Sequence, residues 1–270
     1  MPDLANGKLM FTIGGCISCH KPGKDQANAD PDLPSGGAPL KTPIGILYPP
    51  NLTPDASTGI GSWSHLDFLN ATMRGVSPKD TNYIPAFPYT SYAAMKAEDL
   101  LDIEAYLRSL PPVAAPAKAH EIWFTPVIRR GVGLWKHLGL DTTPWRPDPQ
   151  RPASWNRGSY LVNGPGHCAE CHSPRNILGG IVASQRFAGG PSPDGEDFVP
   201  NITPKGLSMS HEQLVKLLET GETPDGDTVG GEMAKVTANT GKLSGGDRAA
   251  IATYVKSLPP VEGPKRPESK

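Results

Sequence analysis

Cys16-Ile17-Ser18-Cys19-His20 and Cys168-Ala169-Glu170-Cys171-His172 are two copies of one pattern, a pair of cysteines three apart followed at once by a histidine. Thiols at that spacing sit about one helical turn apart and can reach the same edge of a flat macrocycle, while the next residue is carried beneath its centre. The chemistry that asks for this arrangement is covalent attachment of haem. The two sulfurs bond its vinyl groups, and the histidine gives an axial nitrogen to the iron. The two copies use all four cysteines of the chain. They predict two covalently held haems, with Cys16, Cys19, Cys168 and Cys171 as attachment points and His20 and His172 as iron ligands. A zinc site would not need a histidine directly after both pairs, and the 148 residues between Cys19 and Cys168 exceed the spacing of a finger. A thioredoxin-like pair would occur once, beside a βαβ pattern that is missing here.

The composition agrees with loops wrapped around large apolar cofactors. Only 37% of the 270 residues are hydrophobic, and 31 Pro with 30 Gly are about twice the usual share of those two types. Haem supplies core volume that side chains would otherwise fill, and loops crossing its edge turn on Gly and Pro. The length has room for two ordinary domains, one for each haem. A net charge of −1, from 26 basic and 27 acidic residues, gives no overall electrostatic footprint for nucleic acid or anionic lipid. No apolar run approaches the roughly 18 residues of a membrane span. The opening Met1-Pro-Asp-Leu-Ala-Asn lacks the charged and apolar regions of a secretory leader. Because haem c is attached outside the bacterial cytoplasm, the expected location is the periplasm, the export signal having been removed.

Landmarks recur around both motifs. Gly7-Lys-Leu-Met-Phe-Thr-Ile-Gly-Gly precedes Cys16 and Gly158-Ser-Tyr-Leu-Val-Asn-Gly-Pro-Gly-His precedes Cys168, each reading as a short helix that runs out at glycines. Pro50-Asn-Leu-Thr-Pro54 and Pro200-Asn-Ile-Thr-Pro204 form a matched pair of rigid loops. Ser64-His-Leu-Asp67 and Ser210-His-Glu-Gln213 are helix starts of capping-box type, and Gly75 and Gly221 are the stops. Apolar residues at helical spacing fill Lys96 to Leu110 and Ser244 to Leu258, and the identical Ser109-Leu-Pro-Pro-Val113 and Ser257-Leu-Pro-Pro-Val261 end both helices. The landmarks predict an internally duplicated, mostly helical haem domain with little strand, covering residues 1–113 and again 153–270.

Residues 114–152 between them read as a Trp/Pro-rich connector. Thr125-Pro126 to Gly139 carries the cap, proline and stop signals of a helix. Trp123, Trp135, Trp145 and Trp155 lie in or beside the connector and are expected to fill a cleft between the haem domains.

The other axial position decides between carrier and enzyme. Methionine, whose neutral thioether favours ferrous iron, is the expected ligand. Met10, Met73 and Met209 fall where core packing is expected, and Met1 is terminal. Met233, in the loop-like Gly230-Gly-Glu-Met-Ala-Lys-Val236, and Met95, in Tyr92-Ala-Ala-Met95, are the distal candidates. His65 and His211, matched after their cap serines, are weaker ones. His167 is expected to pack near the second haem, and His120 and His137 to lie on the surface. Trp63, Arg74 and Arg175 are candidate donors to haem propionates.

Asn51-Leu-Thr-Pro-Asp, Thr58-Gly-Ile-Gly-Ser-Trp-Ser64, Pro85-Ala-Phe-Pro-Tyr, Gly166-His-Cys-Ala-Glu-Cys-His-Ser-Pro-Arg-Asn176 and both Ser-Leu-Pro-Pro-Val ends resemble the cytochrome c subunits of bacterial alcohol and gluconate dehydrogenases and of molybdenum hydroxylases. The resemblance covers nearly the whole chain. It implies two tandem class I cytochrome c-like domains and two haem c groups. Family members commonly have Pro-Ala-Met-Pro-Tyr, whose methionine ligates iron, where this chain has Phe87. The implied function is electron relay from a dehydrogenase or other redox protein to a further carrier or terminal oxidase, with no acid or base of its own. The rival is a dihaem enzyme of peroxidase type, which needs one iron with an open or displaceable position. A thiosulfate-oxidising dihaem enzyme would need a further cysteine on iron, and none is left. A haem-based sensor would need a signalling module, and the sequence has no sign of one.

Overall fold

A computed structural model gives the fold and describes residues 1–26, 28–123, 125–192 and 197–266, with the backbone alone of Thr125. The cap expected of the Thr125 side chain and the last four residues of the expected C-terminal domain lie outside that set. The described residues form α1 (Leu4–Ile13), α2 (Cys16–His20), β1 (Leu40–Thr42), β2 (Gly45–Leu47), α3 (His65–Arg74), α4 (Tyr89–Tyr92), α5 (Ala97–Arg108), β3 (Glu121–Ile122), α6 (Thr125–Gly139), α7 (Ala153–Asn163), β4 (Gly190–Pro191), β5 (Phe198–Val199), α8 (His211–Thr220), α9 (Gly231–Thr240) and α10 (Gly245–Lys256). The chain is thus largely helical. It divides into two compact units, 1–144 and 145–270.

In the first unit α1 packs on α5. Met10, Phe11 and Ile13 are buried on one helix and Leu100, Ile103 and Leu107 on the other, each removal from water stabilising by about 1.5–3 kcal/mol. The crossing is very close at Gly7, where a Cβ would stand 2.0 Å from the Asp102 carbonyl oxygen. In the second unit α7 packs on α10, and a Cβ on Gly158 would stand 1.9 Å from the Ala250 carbonyl oxygen. Around these crossings Phe11 meets Tyr106 at 5.4 Å and Trp155 meets Tyr254 at 5.1 Å between ring centroids.

Both helix starts read from the sequence are capping boxes. The Asp67 amide donates to Ser64 Oγ at 3.1 Å and the Ser64 amide to Asp67 Oδ2 at 2.9 Å. The Gln213 and Ser210 amides donate in the same way, at 3.2 and 2.8 Å. Gly75 and Gly221 end α3 and α8 at φ 59° and 76°, left-handed values that a glycine adopts without strain.

Residues 114–144, read above as the greater part of a connector, fall within the first compact unit. β3 pairs antiparallel with β2, which also pairs with β1 in a hairpin of register Leu40↔Leu47, Lys41↔Ile46 and Thr42↔Gly45 and so is the central strand of three. The Tyr48 hydroxyl donates to Glu121 Oε1 at 2.5 Å, and Lys118 pairs with Asp25 at 2.6 Å. The segment carrying Met233 is also no loop, since Gly231–Thr240 is helix α9. The tryptophans do not behave as one set. Trp145 stacks on Tyr160 at 5.1 Å and donates to Ser159 Oγ at 3.3 Å, and Trp155 donates to Ser257 Oγ at 2.6 Å. Trp123 stays 82% exposed.

Candidate haem sites

The first cysteine pair lies on α2, a single turn entered through Gly15 at φ 59°. The second lies on a 3-10 turn over Cys168–Glu170, entered through His167 at φ 37°. The His172 amide donates to the Cys168 carbonyl at 3.0 Å and closes that turn. None of the four cysteines is in a disulfide. Burial, with the neighbouring Cys19 adding, pushes the Cys16 thiol up to about 12, and burial with Cys171 does the same for Cys168. Among the described residues no group of three or more His, Cys, Asp and Glu is placed to hold a metal ion.

The two histidines are held alike. His20 Nδ1–H donates to the Pro50 carbonyl and His172 Nδ1–H to the Pro200 carbonyl, each at 2.8 Å. A carbonyl can only accept, so the proton is on Nδ1 and the Nε2 lone pair is left for iron. Burial lowers His20 to about 4, against the opposing bond to Pro50, and lowers His172 in the same direction. Both imidazoles are therefore neutral at pH 7, the form that ligates. The donor set fits haem c: two thiols one turn apart and a neutral imidazole fixed by its far nitrogen.

The loops that aim these histidines are anchored from far along the chain. Asn51 Nδ2 donates to the Val113 carbonyl at 2.7 Å, and its Oδ1 accepts from the Thr53 amide at 2.8 Å. The Val113 amide donates back to Thr53 Oγ1 at 3.1 Å. In the second unit Asn201 donates to Val261 at 2.8 Å, Thr203 to Asn201 at 2.8 Å, and Val261 to Thr203 at 3.2 Å. Each Pro-Asn-x-Thr-Pro loop is thereby clamped to a Leu-Pro-Pro-Val end. The sequence showed both motifs in duplicate but not that they bond to each other.

Met95 follows α4 in a bend and is 1% exposed, while Met233 is the half-buried third residue of α9. Phe87 sits in an aromatic cluster, with ring centroids 5.9 Å from Tyr83, 6.2 Å from Tyr89 and 5.7 Å from Tyr92. The Tyr92 hydroxyl reaches the Gly14 carbonyl at 3.4 Å and the Cys16 thiol, joining this cluster to the first motif.

The matched histidines have other partners. His65 Nδ1 bonds the buried Glu104 at 2.7 Å, and Arg108 holds the other oxygen of that carboxylate at 2.7 Å. His211 Nε2 lies 3.1 Å from the Ala249 carbonyl and 3.2 Å from Thr253 Oγ1. His120, expected on the surface, is half-buried and accepts from the Tyr48 amide at 3.2 Å, with burial holding it below the usual range. Arg175 is engaged within its own motif. It donates to the Glu170 carbonyl and to Glu170 Oε2, both at 2.6 Å, and to the Gly179 carbonyl at 3.1 Å. That ties the 176–180 turn, with its exposed Ile177 and Leu178, to one of the two residues between the cysteines.

Comparison with known proteins gives the same picture. The family model for cytochrome c matches residues 4–111. A protein of Cereibacter sphaeroides described as a dihaem cytochrome c-type is 41% identical over 260 residues, which are 96% of this chain and 87% of that protein. A nicotinate dehydrogenase subunit from Pseudomonas putida is 37% identical over 94% of this chain but only 21% of its own length. The fructose dehydrogenase cytochrome subunit of Gluconobacter japonicus is 31% identical over 96% of this chain and 53% of its own. The chain thus spans nearly the whole of the first relative, about a fifth of the second and about half of the third.

Proposed function

This chain belongs to the cytochrome c family, and on that premise we propose that it is a periplasmic dihaem electron carrier that takes electrons from a dehydrogenase or another redox protein and passes them to a further carrier or terminal oxidase. The observation that carries the reading is the repetition of one half-site, two cysteines about one turn apart and a neutral imidazole fixed through Nδ1 to a proline carbonyl, in each of two compact units. Internal duplication of one haem domain accounts for the matched caps, clamps and helix crossings. The haem domains proper are 1–113 and 153–270, and the first unit carries residues 114–144 in addition.

Haem c, held by Cys16, Cys19 and His20 and by Cys168, Cys171 and His172, supplies one-electron chemistry at each site. The chain's own residues set where and how easily that happens. The Pro50 and Pro200 carbonyls polarise the Nδ1–H bonds and make the imidazoles better donors to iron. Met95 and Met233 are the proposed distal ligands, which would close both irons and leave nothing for a substrate to bind. A dehydrogenase donor is in keeping with the fructose dehydrogenase cytochrome subunit among the relatives. Ile177 and Leu178, exposed on a turn bonded to the second motif, would offer that partner an apolar contact.

The test is the visible spectrum of the reduced holoprotein before and after carbon monoxide, which binds ferrous haem only where an axial position is open or its ligand leaves easily. No change at either haem supports the carrier. A change at one haem would bring the peroxidase reading forward.

A further inference from the structure

The two half-sites are built alike, but one charge beside the second has no counterpart beside the first. Backbone bonds set the correspondence. The Gly36 amide donates to the His20 carbonyl at 2.7 Å and the Gly189 amide to the His172 carbonyl at 2.9 Å, while Leu52 donates to Pro34 at 2.8 Å and Ile202 to Phe187 at 3.0 Å. Pro34 and Phe187 therefore hold the same place in the two units, and so do the residues before them, Leu33 and Arg186. Arg186 is half-buried, its guanidinium lying 5.1 Å over the Phe187 ring and donating to Asn163 Oδ1 at 3.1 Å. Asn163 is itself fixed, since its Nδ2 donates to the Ser159 carbonyl and the Tyr254 hydroxyl, both at 2.9 Å. Counted from the matching Gly7 and Gly158, the first unit has Thr12 at that place, and its hydroxyl turns back to the Lys8 carbonyl at 2.7 Å.

The charge of Arg186 is felt at the second motif. Burial lowers its guanidinium, against Tyr254, Glu170 and Cys168, while Arg175 adds to the lowering. An arginine nonetheless stays charged at pH 7. Arg175 is paired with Glu170 at 2.6 Å, and Arg186 has no ion pair among the described residues, so one positive charge beside Cys168 is left uncompensated. Lys21, Lys24 and Asp25, which follow the first motif, are all exposed, where water and salt screen them. A positive charge in a partly dry site favours ferrous iron, the less positive of its two states, and a guanidinium with donors to spare suits the carboxylates that haem carries. On the reading that both half-sites hold haem closed by methionine, we propose that Arg186 gives the second haem the higher potential. An electron then leaves ferrous iron at the first site and reduces ferric iron at the second.

The experiment is a redox titration of the holoprotein, followed in the visible spectrum, on samples whose haem content and carbon monoxide response are measured alongside. Two separate one-electron midpoints are expected. Arg186→Leu, which copies the first unit, should lower the upper midpoint by about 59 mV, tenfold in a one-electron equilibrium, and leave the lower midpoint in place. Arg186→Lys keeps the charge and should keep most of the upper midpoint. If Arg186→Leu does not take up its second haem, Arg186→Gln, which retains a donor for Asn163, makes the same comparison. Coincident midpoints in the parent protein, a shift confined to the lower midpoint, no shift at all, or an equal fall in Arg186→Lys and Arg186→Leu would overturn the proposal. With two haems bound and neither reacting with carbon monoxide, any of those results leaves the carrier reading standing, whereas a haem that takes up carbon monoxide counts against that reading wherever the midpoints lie.

Discussion

His20 and His172 each commit one ring nitrogen to a proline carbonyl, and that carbonyl is only as well placed as the asparagine beside it. Asn51 and Asn201 make a donor bond and an acceptor bond that no other side chain could replace without leaving a backbone group unpaired. Asn201→Ala is expected to cost about 1–3 kcal/mol in urea unfolding, the usual penalty for a buried polar group that loses its partner. It should also shift the potential of the second haem and leave that of the first unchanged, with Asn51→Ala doing the converse in a redox titration. A merely structural loss would lower the urea midpoint without moving either potential. The proposed distal ligands are tested at the same scale. Met95→Ala should open one iron to carbon monoxide and Met233→Ala the other, and an unchanged spectrum in either variant would remove that methionine from the ligand set.

At the scale of the element, the two helix crossings are set by glycine. Gly158→Ala would drive a methyl group into the Ala250 carbonyl, so α7 and α10 must part, at about 1–3 kcal/mol. Gly131→Ala in α6, where a Cβ would have no neighbour within 4 Å, should instead stabilise by up to about 1 kcal/mol through helix propensity. Opposite shifts of the urea midpoint would separate close approach from propensity. The capping boxes differ in acid. Hydrogen bonds from the Ser64 hydroxyl and amide hold Asp67 below its usual range, so its contribution is present above the ordinary aspartate pKa and is lost as pH falls through the depressed value. Gln213 has no proton to gain. Deuterium-exchange protection at the start of α3 should therefore fall at acid pH relative to the start of α8. These helices were legible because caps, stops and apolar spacing are local signals. Helix α9 was not, for it begins at Gly230-Gly231 with no capping side chain, and two glycines read as a turn. Strands of two or three residues are too short to show a period, and it is the pairing of Gly45 with Ile122 and Ile46 with Glu121 that places β3 in the first unit. The asparagine clamps join residues about sixty positions apart, which no window along the chain can see.

For the whole molecule the question is whether each haem needs the other. The bonds that aim His20 run from Pro50, Asn51 and Thr53 to Val113, and those that aim His172 run from Pro200, Asn201 and Thr203 to Val261; each set closes inside its own compact unit. The main helix crossing of each unit closes there as well. The bonds that aim each histidine thus close within one unit, so loading one site should not require loading the other. Replacing Cys16 and Cys19 together by serine is expected to halve the haem released per chain in a pyridine haemochrome assay and to lower the intact mass of the purified holoprotein by one haem. The spectrum and potential that remain should be those of the second site. Because haem fills core volume in a chain with few apolar residues, the unloaded first unit should lose helix content and proteolytic resistance while residues 145–270 keep theirs. Loss of both haems in this variant would show that the second unit cannot mature alone, and the two sites would then have to be treated as one cooperative assembly.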